Sequence, residues 1–102
     1  MSWIDSHIHL WTKQVENFPL ADGLTAADLD PLDFTPEMYL EHAKTSDISR
    51  IIIVQTSYHQ FDNSYALDAI RRMPERFRAI GIVDETKENV QEDMEALKAQ
   101  GF

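Results

Sequence analysis

Ile4-Asp5-Ser6-His7-Ile8-His9-Leu10-Trp11 is the stretch on which the fold turns. Apolar and polar residues alternate along it, the period-2 pattern of a strand with two unlike faces. The strand is expected from Trp3 to His9. In a regular strand His7 and His9 share one face, about 7 Å apart along the backbone at the usual rise. Asp5 falls on that face one step deeper, while Ile4 and Ile8 take the opposite face and should pack against helices. A strand divided in this way suits a barrel with a polar interior rim and an apolar exterior. Two imidazoles so placed can share one divalent metal ion, because each offers a neutral nitrogen ligand. The competing reading is a pair of hydrogen-bonded structural histidines.

Working outward, a polar stretch runs from Thr12 to Phe34 with Pro19, Gly23, Pro31 and many aspartates. Loops of this length inside a compact domain are uncommon and tend to be functional. Thr35 then caps a first helix, Pro36 fits its first position and Glu37 suits its positive end. This helix runs to about Lys44. A second strand is expected over Arg50 to Thr56. Its unbroken Ile51-Ile52-Ile53-Val54 centre implies burial on both faces, as in a parallel strand covered by helices. After a loop from Ser57 to Asp62, Asn63 caps a second helix with Leu67, Ile70 and Met73 as its apolar stripe, and Pro74 stops it. A third strand is read from Phe77 to Val83. A third helix follows with Val90, Met94 and Leu97 as core residues and Gly101 as its stop.

The order β-α-β-α-β-α predicts an α/β fold with parallel strands joined by right-handed crossovers. Three strands and three helices leave both sheet edges open and one sheet face without a partner layer. The 102 residues are therefore expected to be part of a larger unit, or to rely on another chain. If this short chain is the whole protein, self-association into a homo-oligomer is the expectation.

Composition narrows the function classes. Hydrophobic residues make up 43% and charged residues 26%, an ordinary globular balance. Cysteine is absent, which excludes disulfides, thiolate catalysis and cysteine-based zinc sites. No apolar run approaches the ~20 residues of a membrane helix, and no basic region precedes an apolar stretch at the start, so a cytoplasmic protein is expected. Net charge is −9, and the first 34 residues hold Asp5, Glu16, Asp22, Asp28, Asp30 and Asp33 against Lys13 alone. Such a surface disfavours nucleic acid and anionic membranes. A small-molecule substrate is the partner that fits.

Secondary candidates lie after the second strand. His59 and Tyr58 sit on the rim beside the histidine pair and are candidate substrate contacts, with solvent exposure as the plainer role for His59. Gln55 shares strand parity with Ile51 and Ile53, and a polar residue ending a buried strand needs a partner, which substrate or protein can supply. Asn63 is a substrate contact or a helix cap. Trp11 and Phe18 line a pocket lid or anchor the long loop. His42 reads as a partly buried packing residue of the first helix. Arg71, Arg72, Arg76 and Arg78 form the one basic cluster, at the end away from the histidines, and read as solvated surface.

The segment Ile4 to Trp11 resembles the first strand of the amidohydrolase superfamily, in its amidohydrolase-2 branch. Similar to that branch as well are Arg50 to Gln55, Asn63 to Asp68, Pro74-Glu75-Arg76-Phe77-Arg78-Ala79-Ile80-Gly81 into Val83-Asp84, and the ending Leu97-Lys98-Ala99-Gln100-Gly101-Phe102. The resemblance covers essentially the whole chain but only the first three of eight βα units. It implies a (β/α)8 barrel acting on lactones, esters or amides, or decarboxylating carboxylated rings. His7 and His9 match the family's first-strand ligand pair, for zinc or manganese, which would polarise a carbonyl and acidify a bound water. Some lactonases of the branch use the same histidines on substrate without a metal. The Leu10-Trp11 ending and Asp62-Asn63-Ser64-Tyr65 lean towards sugar-lactone and pyrone-dicarboxylate lactonases. The family's later ligands, histidines after strands five and six and an aspartate after strand eight, have no counterpart here. A catalytic metal usually takes three protein ligands, so no residue is assigned as catalytic and this chain alone is expected to be inert.

Overall fold

The Ile51-Ile52-Ile53-Val54 run becomes the centre of a three-stranded parallel sheet in the computed structural model, which describes residues 2–102. Its strands are β1 (Trp3–Ile8), β2 (Ile48–Val54) and β3 (Phe77–Ile80), side by side in that order. The helices are α1 (Pro36–Ala43), α2 (Ser64–Arg72) and α3 (Val90–Ala99). The predicted order of elements is therefore present. β2 begins two residues earlier than expected, because the Trp3 amide bonds to the Asp47 carbonyl and draws the pairing back. No helix among the described residues is long and apolar enough to cross a membrane.

The two sheet faces are unlike. Ile51, Ile53, Phe77 and Ala79 point to the helices and are almost wholly buried, Phe77 at 0% exposure. Ile8, Leu10, Tyr39, Tyr65, Ala66, Ala69 and Ile70 complete this core. The small residues Ala66 and Ala69 bring α2 close to β3, and the buried face of α2 is Tyr65, Ala66, Ala69 and Ile70. Leu67 and Met73, placed on the apolar stripe by spacing, are only half-buried. On the other face Ile4 is 51% exposed and Ile80 58%. Ser6, Ile52, Arg78 and Ile80 line a broad recess there, bordered by Lys98, Gly101 and Phe102.

α1 starts as its sequence dictates: the Thr35 hydroxyl accepts the Met38 amide at 3.2 Å, with Pro36 at the first helical position. His42, expected to be partly buried, is exposed on this helix, its ring 6.1 Å from that of Phe34. Glu37 pairs with Arg72 and clips α1 to α2. Of the other arginines, Arg76 donates to the Ile48 carbonyl at 3.0 Å and Arg78 to that of Phe77 at 2.8 Å.

α3 departs from expectation. None of its residues is buried; Met94 is 55% exposed, and Val90 and Leu97 are half-buried. Of its apolar stripe, Leu97 comes against Gly81 just past β3, while Met94 stays in solvent. What fixes it is its end. The Phe102 amide bonds to the Leu97 carbonyl and the Gly101 amide to that of Lys98, with Gly101 at φ +104°, which is the glycine-dependent double bond of a Schellman cap.

β3 also stops at Ile80 rather than Val83. The Gln55 amide makes the last ladder bond, to the Ile80 carbonyl at 3.0 Å, and β2 then turns away. The side chain of Asn63 takes over as a substitute strand. Its Oδ1 accepts the Ile82 amide at 3.0 Å and its Nδ2 donates to the Ile82 carbonyl at 2.8 Å. A Cβ at Gly81 would stand 2.8 Å from that Oδ1 and 3.0 Å from Leu97, so only glycine admits this approach.

Candidate active site at the end of the first strand

β1 carries an irregularity that decides where its side chains go. Asp5 pairs with Ile51 and Ile8 with Ile53, so three steps on β1 match two on β2. One extra residue in a strand resets which face the following residues occupy. Asp5 thus shares the helix face with Ile51, and Ile8 shares it with Ile53. The expectation that Asp5 lies on the face of His7 and His9 is overturned. Its Oδ2 instead accepts the hydroxyl of Tyr39 on α1 at 2.7 Å. Burial first, and the carboxylate second, push the Tyr39 hydroxyl well above the ordinary tyrosine pKa. Ile4, expected beside Ile8 against the helices, pairs with Arg50 on the open face.

His7 and His9 stay together. Both are exposed, and their rings meet edge to face with centroids 5.0 Å apart. His9 Nδ1 lies 2.8 Å from the Val54 carbonyl, an acceptor only, so Nδ1 carries the proton and donates it. The lone pair of His9 is then on Nε2. Imidazoles that bind metals are held in this way, by a hydrogen bond from the other ring nitrogen. As a test of fit, the pair provides two neutral nitrogen donors. Among the described residues no group of three or more His, Cys, Asp or Glu side chains converges. A catalytic ion would draw its further ligands from outside this set.

Beside His9, Trp11, Gln55, Thr56, Ser57 and Tyr58 enclose a small recess at the C-terminal ends of β1 and β2. The Trp11 and Tyr58 rings pack edge to face at 5.3 Å, and Phe34 backs Trp11 at 5.6 Å. Trp11 is anchored by its indole N–H to the Pro31 carbonyl at 2.8 Å and by a two-way main-chain bridge to Phe34. The aromatic wall is therefore held in place by the loop that follows β1.

The other predicted contacts divide. Tyr58 is half-buried and borders the recess. Gln55 touches it too, but its amide nitrogen is spent on the carbonyls of Gln60 and Asp62, at 3.0 and 2.7 Å. That bonding shapes the loop after β2. His59, expected on an exposed rim, is 1% exposed. Its Nδ1 donates to the Pro19 carbonyl at 3.0 Å and its Nε2 accepts the Thr12 amide at 3.4 Å, which leaves neither nitrogen for a ligand. A buried polar ring needs both partners, and the 12–34 loop supplies them. Phe18 from that loop meets the Tyr65 ring edge to face at 4.9 Å, and burial, reinforced by Asp33 and Glu37, pushes the Tyr65 hydroxyl up to about 12. Asn63 holds the cap position without capping; Asp62 accepts the Ser64 amide at 3.1 Å instead, and Asn63 faces Ile82. Sequence reasoning missed Tyr39 and the Val54 carbonyl. Tyr39 had one signal, a hydroxyl set on the buried side of a helix, where it needs a partner.

Comparison with known proteins gives four matches. A family model described as amidohydrolase matches residues 4–102. A D-galactarolactone isomerase from Agrobacterium fabrum is 32% identical over 98 residues, which is 96% of this chain and 32% of that protein. Among solved structures, a probable 2-pyrone-4,6-dicarboxylic acid hydrolase from Acinetobacter baumannii, with citric acid bound, matches at a TM-score of 0.77 and 26% identity, over 100% of this chain and 36% of its own. An apo structure from Agrobacterium tumefaciens matches at 0.72 and 32%, over 96% of this chain and 34% of its own. The chain spans about a third of the length of each of these relatives.

Proposed function

The chain belongs to the amidohydrolase family, and from that membership we propose that it supplies the first three βα units of a (β/α)8 barrel that opens a lactone ring. The observation that carries the reading is the exposed pair His7 and His9, rings 5.0 Å apart, at the strand end where the loops begin. In such barrels reacting groups assemble at the C-terminal rim. The names of two relatives refer to cyclic esters, a galactarolactone and a 2-pyrone, and this supports the substrate class.

Opening a lactone adds water to the carbonyl carbon, breaks the ring C–O bond and returns a proton to the departing oxygen. His9 presents the Nε2 lone pair that this chemistry needs, with its tautomer held by the Val54 carbonyl. Trp11 and Tyr58 offer a flat ring an aromatic wall next to it. His7 and His9 would hold a zinc or manganese ion, which would supply Lewis acidity for the carbonyl and for activating water. In a metal-free version the same nitrogens contact substrate directly. Decarboxylation of a carboxylated ring is the competitor within the family, and release of carbon dioxide rather than acid identifies it.

The test is turnover of sugar lactones and pyrone dicarboxylates by the whole protein carrying this chain, beside His7→Ala and His9→Ala. Each variant is expected to lose roughly 100-fold or more in kcat/KM, and wild-type rates in both would sink the reading. The 102 residues alone are expected to show no turnover.

One observation favours a second reading. Ile4 and Ile80 stand exposed on a sheet face with no layer over it among the described residues. If a second copy covers that face, the chain is a non-catalytic, self-associating unit, and light scattering would give a dimer mass with no lactone turnover.

A further inference from the structure

We propose that Asp5 and Tyr39 are positioning residues for the histidine pair, an assignment that rests on the reading of His7 and His9 as the working groups. In a regular β1, alternation would keep Asp5, His7 and His9 on one face. Asp5 faces the helices, so without the extra residue both imidazoles would turn towards the core and away from the recess. The extra residue between Asp5 and Ile8 is what separates them.

Two bonds converge on that point. A bulge leaves main-chain groups without ladder partners, and the His7 amide finds its acceptor in Asp5 Oδ1 at 3.3 Å. The second oxygen, Oδ2, accepts the Tyr39 hydroxyl at 2.7 Å. Tyr39 is itself buried in the core on α1, a helix whose start is set by the Thr35 cap. The chain of contact therefore runs from helix cap to tyrosine to carboxylate to the His7 main chain. Asp5 grips the bulge from the helix side and leaves the open side to the rings. On the far side of the pair, the Val54 carbonyl holds His9. Each histidine is thus oriented by a separate element, His7 through α1 and His9 through β2.

The experiment uses the whole protein with isotope-labelled histidine, and reads the nuclear Overhauser contact between the His7 and His9 rings. A Zn2+ titration of the same samples is the second readout. Asp5→Ala is expected to abolish the ring contact and weaken Zn2+ binding about tenfold or more. Tyr39→Phe, which removes one oxygen and keeps the packing, should weaken both readouts in the same direction. Asp5→Asn keeps one acceptor oxygen, for the His7 amide, and its amide nitrogen can donate to the Tyr39 hydroxyl with the bond reversed, so it should restore both readouts towards wild type. A ring contact that survives in Asp5→Ala and Tyr39→Phe overturns the proposal, whatever the Zn2+ affinity does. So does an Asp5→Asn protein that behaves like Asp5→Ala. Should Asp5→Ala fail to fold, Tyr39→Phe decides alone. If the wild type binds no Zn2+ and the ring contact still depends on Asp5 and Tyr39, the positioning role stands and the metal-ligand role of the pair falls.

Discussion

The two faces of one three-stranded sheet do different work, and the difference shows where stability and chemistry part. On the helix face, Ile51, Ile53, Phe77 and Ala79 are sealed under α1 and α2. On the open face, Ile4 and Ile80 lie uncovered, and His7 and His9 stand at its upper end. Burial of apolar area stabilises at about 25 cal/mol per Å², so the helix face carries the folding energy of this chain. The open face carries exposed apolar area and the histidine pair.

Substitutions on each face sharpen the contrast. The largest expected effect is Phe77→Ala, which empties the best-buried position of the helix face and should cost about 3–5 kcal/mol in denaturant unfolding. A cost under about 1 kcal/mol would mean that the helix layer is not the load on which the fold depends. Next is Ile80→Ala on the open face. In the whole protein, where the proposed barrel closes over it, the cost should reach about 2 kcal/mol or more; a change within about 0.5 kcal/mol would show that this face stays in solvent. The smallest effect belongs to the outer rim of the helix layer. The Arg72 guanidinium holds the Glu37 carboxyl below its ordinary value. A depressed carboxylate pKa contributes stability above the ordinary value of 4.5 and loses it as pH falls through the lowered one. Both partners are about half exposed, so Glu37→Gln should cost no more than about 1 kcal/mol at neutral pH. The difference from wild type should shrink in unfolding curves recorded below pH 4.5 and vanish in strong acid. A constant difference across that range would assign the loss to packing.

Much of the fold was legible in the residues. The isoleucine run marked the buried parallel strand, Thr35 and Pro36 marked the start of α1, and Gly101 marked the end of α3. Spacing set His7 and His9 side by side, and their rings do meet. What escaped reading had a common physical cause, which is that it depends on pairs of distant residues. Alternation along β1 cannot show an extra residue, because the bulge is a relation between β1 and β2. Asn63 reads as a cap from its neighbours, yet its partner is Ile82, 19 positions away. His59 reads as exposed until the loop folds over it at Thr12 and Pro19. α3 has a proper apolar stripe, but periodicity says only that a helix has a face to bury, never what buries it.

The bond from His9 to the Val54 carbonyl has a consequence for how such a site can drift. The acceptor belongs to the peptide backbone, so no codon at position 54 removes it. Substitution there alters a side chain on the open face while the carbonyl stays where the β2 ladder puts it. Proline is the exception: it keeps its carbonyl, but in the central strand it would remove a ladder N–H and disturb the pairing that places that carbonyl. The orientation of His9 is thereby insensitive to the side chain at position 54 as long as the β2 ladder holds, whereas that of His7 hangs on two side chains that can each be lost in a single step.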